Sequence, residues 1–347
     1  MRARAAFGVL ALLAAATAAI GAQGRGNKTL TAVPGIKVGH HTLAERPTGC
    51  TVVLAEAGVT AGVDVRGSAP ATRETDLLSP VNLVQIAHAV ALSGGSAFGL
   101  DTASGVMRYL EERRIGFEFG PAHVPIVPAA AIFDLSVGDG RIRPAADCGY
   151  QAARAATDTP VAEGSIGAGA GATVGKTAGM GRSMKGGIGS AAIALPNGLI
   201  VAALVVVNAV GDVIDPANGQ VVAGVRTADG KAFADARKIL RAGGAGTAAA
   251  RQNTTLGVVA TNARLTKTEA TRVSQMAHDG FARALAPSHT PGDGDVIFTL
   301  ATGATSAAAS DAGQVGSLAA EVVADAIVRA ARQATGVTGI PAVRDLK

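Results

Sequence analysis

Tryptophan is absent from this sequence, and only two tyrosines and eight phenylalanines stand among its 347 residues. A core so short of rings must be filled by Ala, Val, Ile and Leu at close backbone approach, so tightly stacked sheets and helices are expected rather than an aromatic-lined binding module. Cysteine is also scarce. Cys50 and Cys148 are the whole complement, and neither has a partner at zinc-ligand spacing. One disulfide between them is possible in an exported chain, but the sequence leaves their proximity open. A strong charge of either sign is missing too. The formal net charge is +5, dispersed and without interleaved aromatics, which does not indicate nucleic-acid binding. There is no internal repeat and no long stretch of low hydrophobicity that would stay disordered. With 48% hydrophobic residues, the chain can bury a sizeable core in one large domain or two small ones.

The first residues are a different object. Arg2 and Arg4 precede a nearly all apolar or small run from Phe7 to Ile20, and Gly21-Ala22-Gln23 offers a small-residue processing site. This pattern reads as a signal peptide over residues 1–22, cut after Ala22 or Ala19. An uncleaved anchor is the alternative, although the run is shorter than the roughly 20 residues a membrane span needs. A periplasmic or secreted location is expected. Removal of the leader takes away two of the 31 basic residues and leaves a net charge of +3 against 26 acidic ones.

Along the rest of the chain, Thr51–Leu54 and Val59–Val65 read as strands, and residues 80–92 (PVNLVQIAHAVAL) as a helix ending at Ser93-Gly94-Gly95. Asp101 opens another helix, with Val106, Met107 and Leu110 on one face. Glycine-rich ground from Gly164 to Gly189 leads to a strand at Leu199–Val207, and Pro216–Gly219 forms a hairpin turn from which Val221 and Val222 return. Residues 230–253 have the small, polar, basic composition of a flexible exposed loop. A strand starts at Leu256. Thr266 to Glu269 has the form of a capping box, and the helix after it turns Val273, Met276, Ala277, Phe281, Ala284 and Leu285 to one side. Asp293-Gly294-Asp295 is a turn into a strand at Val296–Thr302, and a helix over Leu318–Ala334 closes the chain. Strands and helices thus mix through one domain.

Several stretches imitate chemistry without its full pattern. GAGAGATVGKT, residues 167–177, would need glycine where Ala170 stands to be a phosphate loop. Ser96 lies in SGGSAFG, but Phe98 occupies the second glycine position of a nucleophile elbow. The histidines His40, His41, His88, His123, His278 and His289 show no metal-ligand spacing, and His88 and His278 read as structural residues within helices.

One stretch remains, RQNTTLGVVAT at residues 251–261. A threonine can be a nucleophile without histidine if its own α-amine takes the proton, and that amine has a reference pKa of about 7.7–8. The amine is freed only if the preceding peptide bond breaks. The Thr254 hydroxyl can attack the Asn253 carbonyl, giving an ester that water cleaves. A flexible loop ahead and a rigid strand behind are what this device needs. By itself NTT is a weak motif, and a polar strand entry is the plainer alternative.

From about Leu30 onward the chain resembles the DmpA-type aminopeptidases, N-terminal-nucleophile hydrolases that mature by self-cleavage. The stretches that carry the resemblance include VDVRGSAPATRETDLLSP, LSGGSAFGLDTASGVMRYLEERRIGFEFG, GAGATVGK, VVVNAVGDV, NTTLGVVATNARLTKTEA and HTPGDGDVIFTLATG. The resemblance implies an α+β fold, the αββα sandwich shared with ornithine acetyltransferases. It implies cleavage between Asn253 and Thr254 into a large subunit (23–253) and a small one (254–347), both within one hydrolase domain. Thr254 matches the family nucleophile, Asn208 the side chain that supports the oxyanion, and Lys176 an active-site lysine. Asp293 and Asp295 match the acidic pair of the branch that includes nylon-oligomer hydrolases, where they would hold the nucleophile's ammonium and hydroxyl. The β-peptide aminopeptidase branch has Ser and Glu there. Phe98, a candidate substrate-binding residue, stands where some relatives have tyrosine. The implied enzyme hydrolyses short peptides or amides through a threonyl ester, without a cofactor, as a homo-oligomer, a tetramer. An acyltransferase of the ornithine acetyltransferase type and a non-catalytic binding protein of the same fold are the alternatives.

Overall fold

The computed structural model describes residues 26–244, 253–305 and 311–346. The expected leader over 1–22 lies outside these residues, as does 245–252 of the expected loop. Nine strands make the main sheet: β1 (Lys37–Thr42), β2 (Gly49–Val65), β3 (Thr72–Arg73), β4 (Ala87–Ser93), β5 (Ala129–Ala131), β6 (Gly187–Ala194), β7 (Ile200–Asn208), β8 (Thr254–Thr261) and β9 (Val296–Ala301). Their order is β6-β7-β8-β9-β2-β4-β5-β3, with β1 also on β2. All neighbours are antiparallel except β8–β9 and β4–β5, which are parallel.

The 17 residues of β2 explain how one sheet becomes two layers. Cys50 to Leu54 pair with β1 and β4, whereas Thr60 to Val65 pair with β9, so the strand passes from one layer into the other. Side-chain alternation then sorts the residues by face. Ala202, Leu204 and Val206 of β7 meet Val258 of β8, Phe298 of β9, Val53 of β2 and Val90 of β4 between the layers. Val201, Ala203, Val205 and Val207 point the other way, towards helices α4 (Lys267–Ala284) and α5 (Ala312–Gln333). On the opposite outside, Cys50, Val52, Leu54, Ala89 and Ala91 pack under α1 (Thr102–Glu111) and α2 (Ala146–Arg154). The result is the αββα sandwich that the resemblance implies. Cys50 and Cys148 are bonded, so a disulfide joins β2 to α2 and closes the question left open by the sequence.

Two expectations are corrected. Residues 80–86 are turn and coil, and β4 begins at Ala87, so PVNLVQIAHAVAL is not a helix. Every residue of β4 is buried. A strand covered on both faces loses its alternation and reads as a continuous apolar run, which periodicity cannot separate from a buried helix. His88 therefore sits in a strand, where Nδ1 accepts from the Ile126 amide. The 230–253 stretch is not all loop either, since Ala236–Arg241 forms α3, capped by the Asp235 side chain at Arg237 N. Helix α4 starts at the expected capping box, and the hairpin pairs Asp212–Ile214 with Val221–Ala223.

Candidate active site

Strands β7 and β8 run antiparallel, and their register places Asn208, the last residue of one, beside Thr254, the first of the other. Both are buried, at the edge where the expected loop enters the sheet. The Asn208 amide is fixed from both ends. Oδ1 accepts from Lys176 Nζ at 2.9 Å and from Thr173 N at 3.0 Å, while Nδ2 donates to Phe133 O at 3.0 Å. Two donors on one atom identify it as the oxygen and leave the second Nδ2 hydrogen for another acceptor.

Lys176 reaches this point because the glycine-rich segment clips onto the end of β7, through Gly175 N to Gly211 O (2.9 Å) and Lys176 N to Val210 O (2.8 Å). Its ammonium is fully buried and also contacts Asn208 O at 3.3 Å. Burial lowers the Lys176 pKa to about 7, helped by the nearby Lys185 charge and opposed by the Asp293 and Asp134 carboxylates.

The turn Asp293-Gly294-Asp295 closes the other side. The backbone after β2 holds it, with Arg66 N and Gly67 N donating to Asp295 O (3.0 and 3.1 Å) and Ala69 N to Asp293 O (2.9 Å). Asn253 bridges to Asp293, and Gly294 N donates to Asn253 O at 3.0 Å. The Thr254 hydroxyl donates to the same carbonyl oxygen at 2.5 Å. The Asn253 carbonyl thus carries two donors, one of them the hydroxyl expected to attack it. Only glycine fits at 294. A Cβ there would stand 2.6 Å from Ala69 O and 2.8 Å from Thr254 Oγ1. The sequence marked Gly294 as a turn residue and gave no sign that its amide faces this carbonyl.

Neither acid grips the Thr254 hydroxyl, which donates to Asn253 O instead. Asp293 Oδ2 accepts from Thr290 N (2.8 Å) and Thr290 Oγ1 (2.6 Å). Burial and the Asp295 charge raise the Asp293 pKa to about 6. Asp295 Oδ1 accepts from the amide of Thr255 at 2.7 Å, and Oδ2 from His289 Nδ1 at 2.8 Å. The acids thus set the backbone on either side of the nucleophile. Phe98 lies in the turn Ser96–Asp101 beyond β4, 59% exposed, with the Arg143 guanidinium 3.8 Å from its ring centre. It takes no part in the hydrogen-bonded set around Thr254. Among the described residues, no three His, Cys, Asp or Glu side chains gather as a metal site requires.

The hydroxyl, the carbonyl with its donors and the buried lysine and acids are brought together from three separate stretches of chain, with Asn208 from a fourth. The family model of peptidase family S58 matches residues 28–344. This chain belongs to peptidase family S58. It is a hydrolase, and the DmpA-type resemblance holds over residues 28–344. It is 42% identical over 345 residues to an uncharacterized aminopeptidase of Mycobacterium tuberculosis (strain ATCC 25618 / H37Rv), covering 92% of this chain and 97% of that protein. It is 30% identical over 319 residues to a 6-aminohexanoate-oligomer endohydrolase of Kocuria sp. (strain KY2), covering 86% and 84%. Among solved structures, the L-aminopeptidase D-Ala-esterase/amidase of Ochrobactrum anthropi superposes with a TM-score of 0.66 at 18% identity, covering 90% of this chain and 89% of that one. Its structure is described as a variant of the Ntn hydrolase fold, and the likeness extends that fold to this chain.

Proposed function

We propose that this S58 hydrolase is an N-terminal threonine amidohydrolase with aminopeptidase activity that cuts itself between Asn253 and Thr254. The observation that carries the reading is the Thr254 hydroxyl lying 2.5 Å from the carbonyl oxygen of Asn253, which the Gly294 amide also holds. In maturation, Oγ1 attacks the Asn253 carbonyl carbon, the C–N bond breaks and the hydroxyl proton passes to the departing nitrogen. Water then cleaves the ester, leaving a carboxylate on Asn253 and a free α-amine on Thr254. In turnover that amine takes the hydroxyl proton as Oγ1 attacks a substrate amide. Negative charge on the carbonyl oxygen meets the Gly294 N–H and the uncommitted Nδ2 hydrogen of Asn208. One such donor is worth about 2.7–4 kcal/mol. Lys176 fixes the Asn208 amide, and whenever it is protonated its charge disfavours protonation of the freed amine.

Substrates are short peptides or amides, in keeping with relatives named as aminopeptidases and a 6-aminohexanoate-oligomer endohydrolase. We assign export to residues 1–22 on their signal-peptide pattern, and a homo-oligomer, a tetramer, to the cut protomers, as the family resemblance implies. The test is Thr254→Ala, which removes the attacking hydroxyl. Intact-mass analysis should find the variant chain uncut, while wild type yields a fragment that begins at Thr254. A variant that still releases that fragment would overturn self-cleavage.

A further inference from the structure

His289 stands behind the candidate site, in the turn that follows α4. Its φ is +53°, a left-handed conformation uncommon for residues with a Cβ, although histidine, like asparagine, adopts it more often than most. Non-glycine residues in this region gather at functional sites, and what the imidazole holds decides its part. Nδ1 donates to Asp295 Oδ2 at 2.8 Å, and the His289 amide donates to the same oxygen at 3.2 Å. The other oxygen of that carboxylate accepts from Thr255 N at 2.7 Å. Asp295 is 1% exposed, so these protein donors stand in for water around its charge. The ring is held edge-on to His278, 4.9 Å between centres, and tilted against Phe281 at 5.8 Å, both on α4. His278 is itself anchored through Nε2 to Asp64 O at 3.1 Å. A continuous set of contacts thus runs from α4 through His289 and Asp295 to the residue after the nucleophile.

We propose that His289 is a positioning residue for Thr254. Through Asp295 it fixes the Thr255 amide, and with it the direction of the Thr254 hydroxyl in self-cleavage and in turnover. The proposal rests on Thr254 being the nucleophile. Without Nδ1–H, Asp295 Oδ2 keeps only the longer backbone bond, the carboxylate can turn, and the start of β8 loses a fixed partner. Misplacement of a reacting group by about 1 Å can cost on the order of a hundredfold in rate.

His289→Gly and His289→Asn separate side chain from backbone, because both residues tolerate the positive φ and retain the amide. Glycine removes the ring donor, whereas asparagine offers an amide N–H in its place. Self-cleavage is followed by mass on freshly made precursor, and kcat and KM per cut chain are measured on an aminoacyl p-nitroanilide that wild type hydrolyses. In His289→Gly, self-cleavage and kcat should both fall about tenfold to a hundredfold with KM little changed, as misplacement predicts. His289→Asn should recover most of that loss. Wild-type rates in His289→Gly, an equal loss in both variants, or a rise in KM with kcat unchanged would each overturn the proposal. Thr254→Ala is run beside them. If it still releases a fragment starting at residue 254, the nucleophile assignment fails; if it stays whole while His289→Gly behaves as wild type, only the role of His289 fails.

Discussion

At the scale of single residues, Gly294 shows what a side-chain inventory misses. Its contribution is an amide pointed at Asn253 O and the absence of a Cβ where Ala69 O and Thr254 Oγ1 approach. Thr254, Asn208 and Lys176 are expected from the family resemblance, which matches side chains at particular positions, and each is proposed to act through its side chain. A backbone donor carries no such mark. Asp293 and Asp295 were legible as an acidic pair, but which atoms they hold depends on the register between β8 and the turn. Gly294→Ala should force the turn away from the bond to be cut and slow self-cleavage by about a hundredfold, the usual loss for one oxyanion donor. The cut fraction over time, read by intact mass, checks this. A wild-type time course would remove the Gly294 amide from the reaction.

Among elements, the glycine-rich segment that imitates a phosphate loop is the clearest case of sequence and structure diverging in meaning. Residues Gly167–Gly169 form a tight turn, and the carbonyls that follow wrap around a second fully buried lysine. Lys185 Nζ donates to Ala170 O at 2.8 Å and Ala172 O at 2.7 Å, which ties the segment beneath Asn208 to its return strand. The hairpin at Pro216 was legible because turn chemistry is local, and the helix after Asp101 through its apolar face, since the Asp101 carboxylate makes no cap bond there and accepts instead from Ala146 N. Strand β4 was not, because burial on both faces depends on partners far along the chain. Burial lowers the Lys185 pKa from 10.5 to about 7. The unfolded chain then binds a proton that the folded chain does not, throughout the window between those values. Stability should therefore rise as pH increases across it. Lys176 acts in the same direction. The melting temperature of wild type should increase from pH 7 to pH 9, and Lys185→Met should show a smaller increase over the same range, even if it is less stable throughout. An increase equal to that of wild type would show that Lys185 keeps its proton across this range when folded.

For the whole molecule, the place of the proposed cut within the sheet decides what happens afterwards. The part that begins at Thr254 supplies β8, β9, α4 and α5. Neither of its two main-sheet strands is at an edge: β8 pairs with β7 from Val201 to Asn208, and β9 pairs with β2 from Thr60 to Val65. The small part is thus inserted between two strands of the large one. It also shares both of its apolar layers, with Val205 and Val207 against Phe281 and Val323 on one side, and Leu204 and Val206 with Val258 and Phe298 on the other. Composition foretold a core of small aliphatic residues, but only the topology shows that the cut leaves this core undivided. Separation would expose apolar surface from two layers at once, at about 25 cal/mol per Å². The disulfide offers an independent check, since Cys50 and Cys148 both precede the cut and cannot hold the parts together. Cut protein should therefore run as two bands on a denaturing gel and yet elute as one species in gel filtration, with or without dithiothreitol. Release of the small part in native buffer would mean that the shared sheet does not hold the halves. Release only on reduction would mean that closure of the β2–α2 layer by the disulfide is what keeps β9 paired to β2.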